Sequence, residues 1–137
     1  MEQHTRQRTV QALNRAGLDA ISVENPAYPG TPDVNYVGGW VELKWIADWP
    51  KRAATPVKIN HFTPQQRVWA IRRSMADRHG IWLMLQVGKT GEWLLFKGED
   101  VGEIGKTLTR DELYDLAVGI ESGPEKFIPL LRRRYVC

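Results

Sequence analysis

The chain has 137 residues, of which 42% are hydrophobic and 26% charged, with a net charge of +3 and a pI near 9.2. That composition predicts one globular domain, residues 1–137, and a basic balance that suits a polyanionic partner. The single cysteine, Cys137, excludes an internal disulfide and fits a cytoplasmic setting, and the sequence predicts no signal peptide and no membrane partner, since no apolar run reaches transmembrane length.

Residues 2–17 read as a helix stopped by Gly17. Its apolar positions are sparse: Val10, Ala12, Leu13 and Ala16. Arg6, Arg8 and Arg15 make up its polar face. At about 100° per residue, Glu2 falls within roughly 20° of Leu13. It either points along the sheet-facing side or serves the positive end of the helix dipole. Leu18 to Val23 is a short strand candidate, and 24–31 is a loop with Pro26, Pro29 and Gly30. Glu24, in that loop, is a second candidate for an additional acid.

Gly30 to Trp45 is the stretch around which the chain is organised. Val34 to Val37 and Trp40 to Trp45 are strand-like runs rich in β-branched and aromatic residues, with Gly38-Gly39 between them. A two-residue Gly-Gly between such runs is a hairpin signal, because primed turns need positive φ. With those two residues as the loop, Val37 faces Trp40, Asn35 faces Glu42 and Asp33 faces Lys44. Alternation then puts Asp33, Asn35, Glu42 and Lys44 on one face, and Val34, Tyr36, Val41, Leu43 and Trp45 on the other. Cross-strand neighbours lie roughly 5–8 Å apart, so one metal ion fits between Asp33 and Glu42 with Lys44 beside it. A solvated ion pair explains the same three residues. Pro32 restrains the approach to Asp33 and favours the site reading.

Residues 47–62 hold Trp49, Lys51, Arg52, Lys58 and His61, and prolines at 50 and 56 argue against regular structure. This basic loop either tracks a phosphate backbone, with Lys51 and Arg52 as contacts, or is a solvated surface. Thr63-Pro64-Gln65-Gln66 opens a helix: Thr63 as N-cap, Pro64 at the first helical position, Gln66 completing a capping box. The helix runs to about His79, with Val68, Ile71 and Met75 as an apolar stripe and with Arg67, among its basic residues, as a further phosphate contact. Ile81 to Val87 reads as a buried central strand, and Glu92 to Lys97 returns as its neighbour. Thr109 to Glu112 is a second capping box, opening a helix that ends near Gly123. The tail carries Arg132, Arg133 and Arg134, either phosphate contacts or a solvated basic end.

Pro32-Asp33 followed by Glu42-Leu43-Lys44 resembles the Pro-Asp…(Asp/Glu)-x-Lys signature of the PD-(D/E)XK nucleases. Gly30-Thr31-Pro32-Asp33, then Thr63-Pro64-Gln65-Gln66-Arg67-Val68-Trp69, then Gly80 and Ile81 to Val87, is similar in order and spacing to the VRR-NUC branch. The resemblance covers residues 30–87, and reaches back to Glu2 if the first helix is included. It implies a restriction-endonuclease-like α/β core, a mixed central β-sheet flanked by helices in the order α-β-β-β-α-β-β-α. It also implies that an acid of the first helix, here Glu2, joins the metal ligands, and that Gln66 reaches the site. Stand-alone phage or bacterial members imply a structure-selective endonuclease, a homodimer acting on branched DNA such as a Holliday junction.

Phosphodiester hydrolysis needs an activated water and a stabilised phosphorane charge, and a hard divalent ion serves both. Asp33 and Glu42 would supply oxygens, with the Leu43 carbonyl as a third. Lys44 would orient or deprotonate the water and offset phosphate charge. Mg²⁺ (or Mn²⁺) suits these ligands better than Zn²⁺, because no Cys/His cluster accompanies them. The rival readings are a nucleic-acid-binding module that does not cleave, and an interaction protein whose tryptophans pack a partner.

Overall fold

The structure, a computed structural model, describes residues 2–133. Glu2–Arg15 form the first helix, α1. The strands are β1 (Ile21–Ser22), β2 (Val34–Tyr36), β3 (Gly39–Ile46), β4 (Ile81–Val87), β5 (Trp93–Lys97) and β6 (Gly119–Glu121). The remaining helices are α2 (Pro64–Ala76), α3 (Arg110–Leu116) and α4 (Ile128–Leu131). The six strands form one mixed sheet in sequence order, so the fold is α/β with an open sheet. Every pairing is antiparallel except β3 with β4, which is parallel. A parallel pair cannot be joined by a tight turn, and residues 47–63 with α2 make the crossover.

Both faces of the sheet are covered. On one, Val34, Tyr36, Val41 and Leu43 pack with Trp82, Met84, Trp93 and Leu95 beneath α1 and the C-terminal segment, where Leu13, Phe127 and Leu131 are buried. On the other, Leu83, Leu85, Leu94 and Phe96 meet Val57, Ile59, Phe62, Trp69, Val101, Ile104 and Leu113. Burying both faces is what lets Ile81–Val87 be a nearly continuous apolar run.

The hairpin forms, but two residues out of the expected register. Asn35, not Val37, stands opposite Trp40, and Tyr36 stands opposite Gly39. The loop is Val37-Gly38, with Gly38 at φ +130°. Gly39 is needed elsewhere: a Cβ on it would lie 1.9 Å from the Gly80 carbonyl oxygen, to which the Trp40 N–H donates at 2.7 Å. A shift of two preserves the alternation, so Asp33, Glu42 and Lys44 keep their common side. Gly30 is the second close approach: at φ +93°, its Cβ position lies on the Gln65 backbone carbonyl at the start of α2. That contact seats the loop leading into Asp33 against α2.

Three other expectations change. The stripe of α2 does not face the core, since Val68 and Met75 are exposed while Arg67, Trp69, Ala70 and Ser74 are buried. Trp69, packed edge-on against Trp40 at 5.6 Å between ring centroids, outweighs the smaller apolar residues. The helix opened by Thr109 has its capping box but stops at Leu116. Val118 then donates its N–H to the Leu95 carbonyl, and Gly119–Glu121 pair with β5 as an unexpected edge strand.

Candidate functional site

Asp33 stands at the entry to β2, after a buried Pro32. Its Oδ2 accepts the Leu43 N–H at 2.9 Å, and its Oδ1 pairs with the Arg6 guanidinium at 3.1 Å. The carboxylate therefore replaces a backbone partner for β3 where β2 has not yet begun. In an extended strand the N–H and C=O of one residue point to the same edge, so the Leu43 carbonyl is also directed to the Asp33 side.

Glu42 and Lys44 follow on β3, two residues apart and on one side of the sheet. They are not solvated. Glu42 is 4% exposed and Lys44 3%, which removes the surface ion-pair reading. The Lys44 Nζ lies 3.6 Å from Glu42 Oε1 and 4.0 Å from Glu2 Oε1. It donates to the His61 carbonyl at 3.1 Å and sits 5.5 Å from the centre of the Phe62 ring. Glu42 Oε1 is buried without a hydrogen-bond partner. Burial, and then the Asp33 carboxylate beside it, push the Glu42 carboxyl up to about 10, against the opposing pull of Lys44. Two neighbouring acids repel when both are charged, and the raised Glu42 value follows from that together with burial.

Glu2 comes to this corner from α1, and its Oε1 also meets His61 Nε2 at 2.5 Å. Thr5, Thr9 and Leu13, buried in α1, lie on the same stripe as Glu2 at spacings of three and four. Arg6 and His61 are site residues that the sequence reading had not assigned. The signal for Arg6 was present, four residues after Glu2 on one helix face. It was obscured because the first two buried positions of α1, Thr5 and Thr9, are threonines. Among the described residues, no group of three or more His, Cys, Asp and Glu side chains is arranged to hold a metal ion.

The other candidates are distributed differently. The Gln66 Oε1 accepts the Thr63 N–H at 2.9 Å, so it closes the α2 cap. Glu24 is exposed in its loop. Lys51 and Arg52 are exposed in the crossover and line a cleft with Arg110 and Tyr114. Arg132 donates to the Ala16 carbonyl and Arg133 pairs with Asp77. Arg134 lies outside the described residues.

Arg67 is not where a phosphate contact would be. It is 5% exposed and donates to the carbonyls of Val101, Gly102, Ile104 and Phe62, with its guanidinium 4.0 Å from the centre of the Phe62 ring. Burial lowers its pKa from the ordinary value. Arg67→Met should therefore lower stability by about 1–3 kcal/mol, the cost of leaving buried carbonyls unpaired. A denaturant melt checks this.

Comparison with protein-family models, with curated proteins and with solved structures finds no match for this chain.

Proposed function

We propose that the chain is a metal-dependent endonuclease that hydrolyses phosphodiester bonds in DNA, built on a restriction-endonuclease-like core of the VRR-NUC type. The observation that carries this reading is the buried Glu42, whose Oε1 has no hydrogen bond and lies 3.6 Å from the Lys44 Nζ, in one corner with Asp33. An acid buried beside a second acid and a lysine, with one oxygen left without a hydrogen bond, costs free energy that a catalytic role explains. The donor set fits a hard divalent ion: Asp33 and Glu42 would hold Mg²⁺ or Mn²⁺, with the Leu43 carbonyl and Glu2 as further oxygens. Bound there, the ion would supply charge for the scissile phosphate and acidity for water.

The chain's own side chains do the rest. Lys44, fixed by the His61 carbonyl, presents an ammonium group to the attacking water and the phosphate. Arg6 holds Asp33 in place through its Oδ1 while Leu43 holds the Oδ2. Gln66, at the start of α2, is a positioning residue for water or phosphate. By resemblance the substrate is branched DNA, the active form a homodimer and the setting the cytoplasm of a bacterial cell.

A second reading has its own observation. Arg6 already neutralises Asp33, and among the described residues no group of three or more His, Cys, Asp and Glu side chains is arranged to hold a metal ion. That favours a module that binds DNA without cutting it. Purified protein with Mg²⁺, Mn²⁺ or EDTA, against single-stranded, duplex, flapped and four-way DNA, separates the two. Divalent-dependent cleavage, fastest on a branched form, is expected. Retention on a gel in EDTA with no cleavage under any ion would leave only the binding module.

Lys51 and Arg52 are proposed phosphate contacts, as are Arg132, Arg133 and Arg134. Replacing Lys51 and Arg52 together by glutamine should reduce the slope of log affinity against log salt by about two, close to one per contact. Affinities measured across a salt series check it.

A further inference from the structure

Beside the acidic corner, two adjoining clefts of about 320 and 270 Å³ run between the 25–31 loop and α2. Tyr28, Trp69 and Arg72 line both. Trp40 and Arg73 line the second. Tyr28 is held outward, 66% exposed, by a loop whose turns close on themselves: the Tyr28 N–H donates to the Asn25 carbonyl, and the Tyr28 carbonyl accepts from the Thr31 backbone and hydroxyl. Trp69 forms the floor, with the Arg73 guanidinium over its ring at 4.7 Å and Trp40 against its edge. Among the described residues neither Arg72 nor Arg73 forms an ion pair with a carboxylate.

An exposed aromatic ring, a tryptophan floor and two arginines without counter-ions suit a ligand that is planar, stackable and anionic at once. An unpaired nucleotide has all three properties. The place suits it as well. Trp40 lies two residues before Glu42 on the same side of β3, roughly 6–7 Å along the strand. Thr31, also in the second cleft, precedes Asp33 by the same interval.

We propose that this groove binds unpaired bases of a DNA strand next to the scissile phosphate, with Tyr28 as the stacking platform and Arg72 and Arg73 on the backbone. The inference rests on the nuclease reading of the acidic corner. It makes the preferred substrate a duplex with a single-stranded segment, and gives the chain a means of recognising it that is independent of base sequence, because every base has a stacking face.

Fluorescence anisotropy in EDTA tests it on three probes: a blunt duplex, the same duplex with a single-stranded overhang, and that duplex with an abasic overhang of equal charge. The parent should bind the overhang about tenfold more tightly than the abasic form. Tyr28→Ala should remove that difference and leave blunt-duplex affinity unchanged, and Tyr28→Phe should keep it. Equal affinity of the parent for the base-bearing and abasic overhangs would overturn the proposal, as would a Tyr28→Ala variant that still tells them apart. Cleavage assays on the same probes with Mn²⁺ keep the two readings separate. Base-dependent binding without cleavage sinks the nuclease reading alone, and cleavage with base-independent binding sinks the stacking groove alone.

Discussion

Glu42→Gln should melt higher than the parent at neutral pH in EDTA, and should lose divalent-dependent cleavage by more than about a hundredfold. The two effects have one source. The Glu42 carboxyl is raised from 4.5 to about 10 in the folded chain, with burial as the largest cause and the Asp33 charge next. Between those values the folded state keeps a proton that the unfolded state has released. Stability therefore falls as pH rises through that window, by up to about 1.4 kcal/mol per unit for one group. Glutamine carries no such proton and removes the loss. A gain of about 1–3 kcal/mol at pH 7 is expected, which is several degrees in a thermal melt. The advantage should shrink toward pH 5 and widen toward pH 9. Added Mn²⁺ should stabilise the parent and not the variant. A variant that melts lower than the parent at every pH would mean that Glu42 is a structural residue.

Lys44→Ala should lose cleavage by about 10²–10⁴-fold and still bind Mn²⁺. Asp33→Asn should lose both, because a proposed ligand has gone. Neither outcome will come free of a folding cost. Lys44 is buried against Phe62 and donates to the His61 carbonyl, so truncation leaves that carbonyl unpaired and costs about 1–3 kcal/mol. Lys44→Met keeps the stem and loses the charge, and it separates the chemical effect from the folding one. Calorimetric Mn²⁺ titration beside single-turnover cleavage reads the roles. If Lys44→Met loses the ion and Asp33→Asn retains it, the assignment is reversed.

The common side of Asp33, Glu42 and Lys44 was legible in the sequence because it depends only on odd and even positions. A two-residue slip of the hairpin moved every partner and left that parity intact. What alternation could not tell is that this side is covered. Ile59 and Phe62 of the crossover and Trp69 of α2 close over it from distant positions in the chain. Glu42 and Lys44 therefore look like surface residues in sequence and are core residues in the fold. Arg67 was misplaced for the same reason. Its four acceptors lie at Phe62 and in 101–104, and no local pattern announces them. The capping boxes at Thr63 and Thr109 formed as expected because each is satisfied within four residues. The stop after Leu116 depended on the edge of β5, which local signals do not contain.

The strand order has a kinetic consequence. Five pairings hold the sheet, and four of them join strands that are consecutive antiparallel neighbours. The fifth, from Trp40 with Ile81 to Ile46 with Val87, closes the longest loop in the sheet. Loop closure has an entropic cost before contacts offset it, so this seam is where assembly should be slowest. It joins two three-stranded meanders, and β3, which carries Glu42 and Lys44, is its first strand. The ammonium group of Lys44 acquires its His61 acceptor only once the crossover has folded back over that seam. Until then the charged pair is open to water and carries little desolvation cost, so the acidic corner should lose its water only when this seam closes.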